Sequence, residues 1–346
     1  SEASFGIDEG LPEVEIVFAG TERGLETKVV PKLGRRLALI RSTSIKDRKG
    51  MGRFIAYARL PLSVMHAARL ILREKPSLLV SIGGYAAGPL SIAAWLLRVP
   101  FVLVEPNAIA GLTNRKIGKL CDRAFVAFDD ARAYFPREKV IVSGNPVRAE
   151  VASARGAERK PGPKVTFFVF GGSQGAMKLN RSMVGSLPGL SDLKARFRVI
   201  HQTGANDDAS AIERAYAEAG VEAQVFAFTE RIWECYREAD VVIARSGATT
   251  VAELLALRIP SILVPYPYAA DDHQRANAVG MLRTGGAVMI PDADFTTEKL
   301  TSELRSFIER PSRIEAMQAA LRRHTACDAA GIIVDECVKL LSQEGK

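Results

Sequence analysis

Residues 165–176 read VTFFVFGGSQGA, and this stretch decides the fold. Val165–Phe170 is an unbroken apolar and β-branched run with no alternation of polar and apolar positions. Such a run reads as a strand buried on both faces, as in parallel sheets covered by helices. Gly171, Gly172 and Gly175 then turn the chain, and a helix is expected to begin near Ala176. Strand, glycine loop and helix start, in that order, present free backbone N–H groups to a phosphate. Ser173 adds a hydroxyl donor. A glycine turn made only for tight packing is the competing reading. The spacing is neither GxxxxGK[ST] nor GxGxxG, so it supports neither an ATP loop nor a standard dinucleotide site.

The same grammar repeats on either side. Strands are expected at 199–202, 225–226, 241–244 and 261–264 downstream, and at 14–19, 77–82, 101–104, 124–127 and 140–143 upstream. Helical stretches separate them, among them 53–74, with a kink expected at Pro61, and a helix running to Leu97 after the loop 83–89. This alternation means α/β architecture with parallel sheets. Residues 150–163, EVASARGAERKPGP, are polar, carry Pro and Gly, and are expected to be a linker. The 346 residues then divide into 1–149 and 164–346, two successive doubly wound domains.

Composition excludes several classes. With 47% hydrophobic and 25% charged residues the chain is neither disordered, collagenous nor a coiled coil. Its most apolar stretch, 90–104, is interrupted by Arg98 and Pro100, short of the roughly 18 apolar residues a membrane span requires. The polar, acidic start does not read as a signal peptide. Cys121, Cys235, Cys327 and Cys337 show no CxxC spacing and read as free thiols; four scattered histidines offer no zinc pattern, so a zinc site is not expected. No cofactor is expected. The net charge of +8 is one-sided: residues 1–160 carry 26 basic and 16 acidic residues, the remainder 21 and 23. Between Arg23 and Lys75 stand 14 basic and three acidic residues, interleaved with Leu62, Met65, Leu70 and Leu72. That pattern suits an anionic membrane surface. Only Phe54 and Tyr57 are aromatic there, too few for base stacking, so no nucleic acid is expected.

Five more strand-end loops carry polar groups. After 241–244 comes RSGATTVAE, in which Thr249 and Thr250 can cap a helix and meet a phosphate. Glu253 can accept ribose hydroxyls or simply favour the helix dipole. After 261–264 comes PYPYAADDHQRAN, dense in Asp271, Asp272, His273, Gln274 and Asn277; the two aspartates read best as helix caps. In the first half, SIGGYAAGP carries Tyr85, EPN carries Glu105 and Asn107, and GNPVR leaves Arg148 free to meet an anion.

The motifs GGYAAGP (83–89), EPNAIAGLTNR (105–115), GNPVR (144–148), GGSQGA (171–176), HQTG (201–204), RSGATTVAE (245–253) and AADDHQRANA (269–278) together resemble those of the MurG family. The resemblance implies a GT-B fold, two Rossmann-like domains facing a cleft. It implies an inverting, metal-independent transfer of GlcNAc from UDP-GlcNAc to the 4-hydroxyl of the muramyl sugar of lipid I, giving lipid II of peptidoglycan. It also implies a peripheral place on the cytoplasmic face of the bacterial membrane, beside other cell-wall synthesis proteins. Carried over by residue, Arg148 and Ser173 meet the donor, Asn107 faces the sugar, and Thr229 lies near the uracil. Ala248, Thr249, Thr250, Val251, Ala252 and Glu253 hold the nucleotide, with Glu253 on the ribose. Gln274, with His273 beside it, binds GlcNAc hydroxyls; Tyr85 and Glu105 line the acceptor side.

The family's first strand and its loop GGTGGH, whose His is the proposed general base, have no counterpart before Val14. About 20 residues of family-like sequence are expected ahead of it. Glu105 is then the remaining candidate base. Two further readings stay open at this stage: a transferase for another lipid acceptor, and a non-catalytic UDP-sugar or membrane-binding protein.

Overall fold

The computed structural model describes residues 14–22, 24, 26–40, 60–84, 86–154, 162–172, 174–324 and 328–344. Phe54, Tyr57, Tyr85, Ser173 and Cys327 lie outside them, as do residues 53–59 of the expected first long helix. Contacts divide the chain into two compact units, one of residues 1–103 with 116–122, the other of 104–115 with 123–346.

In the first unit, β1 (Val17–Gly20) and β2 (Arg36–Leu39) pair in parallel around α1 (Glu26–Lys32). The helix α2 (Leu60–Glu74) packs on α3 (Ala87–Leu96). Pro61 is the second described residue of α2, so the kink expected there falls at the edge of the described residues. The loop expected to run to Pro89 ends earlier, because α3 starts at Ala87 and takes Pro89 into its first turn, where a missing N–H costs nothing. β3 (Leu79–Ser81) and β4 (Phe101–Glu105) pair in parallel; they belong to a four-stranded sheet with β5 (Arg123–Val126) and β6 (Val140–Val142), in the order β3-β4-β5-β6. A short α4 (Leu112–Ile117) follows β4.

Residues 150–153 of the expected linker belong to a short helix, α5 (Ala149–Ser153), whose Val151 is fully buried. β7 (Val165–Phe170) then opens a six-stranded sheet with β8 (Phe197–Gln202), β9 (Ala223–Phe226), β10 (Val241–Ala244), β11 (Ser261–Leu263) and β12 (Ala287–Met289). Its order is β12-β11-β10-β7-β8-β9, and every neighbouring pair is parallel. Counted from β7, this is the order 3-2-1-4-5-6 of a doubly wound nucleotide-binding sheet.

Both faces of that sheet are covered, as the continuous apolar run of β7 predicts. Phe167 and Val169 point into one core, against α6 (Met177–Ser186), α7 (Ala209–Ala219) and α11 (Thr297–Glu309). Phe168 and Phe170 point into the other, against α8 (Ile232–Glu238), α9 (Ala248–Leu257) and α10 (His273–Leu282). There the two Phe rings stack at 4.8 Å and Tyr236 meets both edge-on. The chain closes with α12 (Pro311–Arg322) and α13 (Ala329–Glu344). Among the described residues, no helix is long and apolar enough to cross a membrane.

Candidate active site

The strand order reverses between β7 and β10, and Phe170 stands opposite Ala244, so the loops after both strands leave the sheet at one level. In an open parallel sheet this switch point is where ligands bind. The glycines of the first loop separate into two kinds. Gly172 has φ +91°, and a Cβ there meets nothing within 4 Å, so its side is open. Gly175 has φ +79°, and a Cβ there falls 2.2 Å from the Thr203 carbonyl oxygen; one on Gly204 falls 2.1 Å from the Gly175 Cα. The loops after β7 and β8 thus lie backbone against backbone. Close packing explains Gly175 and Gly204 and leaves Gly172 to the open side.

A buried polar group supports these loops. Asn180 Nδ2 donates to Thr203 O at 2.9 Å and to Asp207 at 2.9 Å. Both partners only accept, so Asn180 Oδ1 faces His201 Nε2, 3.0 Å away, and accepts its proton. His201 Nδ1 then accepts from the Tyr216 hydroxyl at 2.9 Å. Burial depresses the imidazole pKa to about 4, so His201 is neutral and structural.

After β10, Ser246 and Gly247 lead into α9. No side chain caps this helix: Gly247 holds the cap position, and Thr249 and Thr250 fall inside the first turn, contrary to the expected capping role. Glu253 points inward and is 2% exposed. Its Oε2 accepts from Tyr236 Oη at 3.0 Å. Its Oε1 makes no hydrogen bond and faces Arg148 Nε at 3.4 Å. Arg148, expected free, is therefore paired, with its side chain 46% exposed. Burial raises the Glu253 pKa, opposed by Arg148 and the Tyr236 hydroxyl. Burial and the neighbouring carboxylate push the Tyr236 phenol well above its ordinary range.

Sequence reasoning did not single out the ion group beneath this loop. Arg245 Nη1 donates to Val264 O (3.2 Å), Pro265 O (3.1 Å) and Asp292 Oδ1 (2.6 Å), and Lys178 pairs with Asp292 Oδ2 at 3.1 Å. Burial alone raises the Asp292 pKa, but hydrogen bonds from Arg245 and Lys178 outweigh it and hold the carboxyl below its usual value. Arg245 so fixes where the next loop begins. In that loop Gln274 Oε1 accepts from Tyr266 N (3.0 Å), Gln274 O accepts from Ser246 Oγ (2.8 Å), and His273 Nδ1 donates to Ala270 O (2.7 Å). Neither Asp271 nor Asp272 caps α10. Both have left-handed backbone, φ 54° and 53°, which turns their carboxylates from the helix start; Asp271 pairs instead with Arg115 at 3.2 Å.

The loop after β4 is organised by Glu105, also 2% exposed. Oε1 accepts from Asn107 N (3.0 Å) and Asn107 Nδ2 (3.2 Å); Oε2 accepts from Gly111 N (2.9 Å) and Asn114 Nδ2 (2.9 Å). Asn107 Oδ1 in turn accepts from Asn277 Nδ2 at 3.1 Å. The hydrogen bonds thus join Glu105, Asn107, Asn277, Ser246 and Gln274, and a separate ion pair brings Arg148 to Glu253. Ala248, Val251 and Ala252 share α9 with Glu253. Thr229 stands apart, its Oγ1 accepting from Arg231 N at 3.0 Å, beside an exposed Phe228. Among the described residues no group of three or more His, Cys, Asp or Glu is placed to hold a metal ion.

Comparison with known proteins places this chain in a class. The model of the glycosyltransferase family 28 C-terminal domain matches residues 166–331, and that of the glycosyltransferase family 28 N-terminal domain matches residues 8–126. With the two Rossmann-like halves, this makes the chain a glycosyltransferase of the GT-B fold. The UDP-N-acetylglucosamine--N-acetylmuramyl-(pentapeptide) pyrophosphoryl-undecaprenol N-acetylglucosamine transferase of Myxococcus xanthus (strain DK1622) is 39% identical over 329 residues, 95% of this chain and 86% of that protein. The same-named protein of Anaeromyxobacter sp. (strain Fw109-5) is 41% identical over 330 residues, again 95% and 86%. A crystal structure of Acinetobacter baumannii MurG superposes with a TM-score of 0.76 at 27% identity, over 94% of this chain and 91% of that one. The chain belongs to the MurG family.

Proposed function

We propose that this chain transfers GlcNAc from UDP-GlcNAc to lipid I. The reading is carried by one conjunction: relatives about 40% identical along 95% of the chain are named for this transfer, and the nucleotide switch point is complete in its described residues. The 4-hydroxyl oxygen of the muramyl sugar attacks the anomeric carbon from the face opposite UDP. The bond to the β-phosphate oxygen breaks, UDP leaves with the electron pair, and the configuration inverts.

Residues 164–346 hold the donor. The uncapped starts of α6 and α9 aim backbone N–H groups and positive dipole ends at the departing pyrophosphate, the charge that grows in the transition state. A metal is not required in this reading. Ser173 and Arg148 meet the pyrophosphate, Thr249 and Thr250 its other oxygens, Glu253 Oε1 the ribose, and the backbone near Thr229 the uracil. Gln274 and His273 sit on the GlcNAc. Residues 1–149 take the acceptor, with Tyr85 assigned to its side and Asn107 to the sugar, and 150–163 join the halves. Glu105, whose two oxygens already accept four hydrogen bonds, orders its loop in this reading, and the proton of the attacking hydroxyl passes to water.

The same half meets an anionic bilayer surface on the cytoplasmic side. Leu62, Met65 and Leu72 of α2 and Trp95 and Leu96 of α3 are exposed, with Arg69 and Arg73 on the same helix as the first three. The test is UDP release from UDP-GlcNAc with and without a lipid I analogue. Acceptor-dependent release is the expected result. Release with a diacylglycerol and none with lipid I would move the acceptor, and donor binding without release under either condition would leave a binding protein.

A further inference from the structure

We infer that Asn277 is a positioning residue that sets which way the Asn107 amide faces and so presents a hydrogen-bond donor to the reacting sugars. The inference rests on the transferase reading for its catalytic consequence, and on geometry alone for the arrangement itself.

Asn277 is fully buried, and the groups it bonds fix its orientation. Its Oδ1 lies 2.8 Å from Ala108 N, which can only donate. Its Nδ2 lies 3.2 Å from Ser246 O, which can only accept. The Asn277 amide therefore has one orientation. Its second Nδ2 hydrogen points to Asn107, 3.1 Å away, and Asn107 presents Oδ1 to it. The other end of Asn107 agrees: the Glu105 carboxylate only accepts, and it takes Asn107 Nδ2 at 3.2 Å. Two independent constraints, a carboxylate on one side and the Asn277 amide on the other, fix the polarity of one side chain. One Nδ2 hydrogen of Asn107 is then spent on Glu105, and the other is not taken up by any described residue. Asn107 stands ready to donate it to a substrate oxygen. The same Asn277 also ties the loop after β4 to Ser246, whose hydroxyl holds the Gln274 carbonyl, so both sugar-facing amides share one support.

Asn277→Asp tests this. The carboxylate keeps the bond from Ala108 N but faces Asn107 Oδ1 and Ser246 O, two acceptors, with no proton to give. Asn107 is then driven to turn over, which puts its own oxygen against Glu105. We expect kcat to fall by about 10²-fold, as for a small misplacement of reacting groups. The Kd for UDP, which lacks the sugar, should stay within about threefold. Asn277→Ser, which keeps a donor and an acceptor, should recover part of the rate. A parallel fall of kcat and UDP affinity, or an unchanged kcat, overturns the proposal.

Thermal unfolding against pH gives a readout independent of any transferase activity. In the Asn277→Asp variant the new carboxyl group is buried and faces acceptors, so its protonated form is favoured and its pKa is raised in the folded state. The stability of the variant relative to the parent chain should be highest in acid, where the proton bridges to Asn107 or Ser246. It should fall as pH rises above the unfolded carboxyl value. Melting curves of variant and parent that shift in parallel with pH overturn the arrangement. If the parent chain releases no UDP with lipid I while the melting difference follows pH, the transferase reading fails and the arrangement stands.

Discussion

Replacing Glu253 by Gln separates what this side chain does for the fold from what it does for the nucleotide. Its Oε2 is committed to Tyr236 at 3.0 Å, and Oε1, buried and 3.4 Å from Arg148 Nε, is the oxygen that makes no hydrogen bond. A glutamine can keep its carbonyl on the Tyr236 hydroxyl, which leaves that buried donor paired, and turns its amide toward Oε1's place. The packed side chain survives, and the one anionic acceptor is lost. A hydrogen bond to a charged group contributes about 1.5–3 kcal/mol, so UDP and UDP-GlcNAc should bind about 10- to 150-fold more weakly. Calorimetric titration with UDP and with its 2′-deoxy and 3′-deoxy forms gives the decisive comparison. The deoxy forms should lose affinity on the parent chain and little on the variant. Stability should move the other way. The folded Glu253 pKa is raised, chiefly by burial, so its carboxylate destabilises the fold increasingly as pH rises above the unfolded value of 4.5. Glu253→Gln should thus gain melting temperature over the parent chain between about pH 5 and 8, and little below about pH 4. Unchanged UDP affinity in the variant, or a parent chain indifferent to the ribose hydroxyls, would refute the ribose assignment. A variant that melts lower at every pH would refute the picture of a packed side chain with one spare oxygen.

Two further predictions concern the support of the site. His201 is held neutral with a pKa near 4 against an ordinary 6.5, so the folded state resists a proton that the unfolded chain accepts. Stability should fall by about 3 kcal/mol as pH drops from 6.5 to 4, and denaturant unfolding of His201→Gln should show that slope flattened. Gly175→Ala combines left-handed backbone with a Cβ 2.2 Å from Thr203 O and should cost about 2–5 kcal/mol. Gly172→Ala, equally left-handed but open, should cost only about 1–2 kcal/mol, and equal losses for the two would contradict the close approach of the loops.

The second sheet was legible because its strands are buried on both faces. Val165–Phe170 and Val241–Ala244 form over those same residues, since a continuous apolar run bounded by polar or glycine residues marks both the strand and its burial on two faces. The strands missed were β2 and β12, at the edges of their sheets and only four and three residues long. A short edge strand carries little of the period that betrays a strand. The strand order was not legible in any residue. It is set by which strand each crossover returns beside, and it is the order that brings the loops after β7 and β10 to one switch point.

The site divides along a similar line. Residues that act through backbone and helix starts, around Gly172 and in α9, declare themselves by glycine and by position after a strand. Glu253 was legible as a candidate, but its inward rotation, its Tyr236 partner and its pairing with Arg148 depend on residues 17 and 105 positions away. Asn277 and Asn107 lie 170 residues apart, and each is an ordinary polar residue in its own loop. Their meaning lies in a chain of donors and acceptors whose direction is set at one end by the Glu105 carboxylate and at the other by a backbone carbonyl. A buried carboxylate whose two oxygens are held by four N–H donors is a good anchor. In that role Glu105 accounts for Asn107 in the loop after β4 and Asn114 in α4, whose side-chain amides both donate to it, alongside the backbone N–H of Gly111.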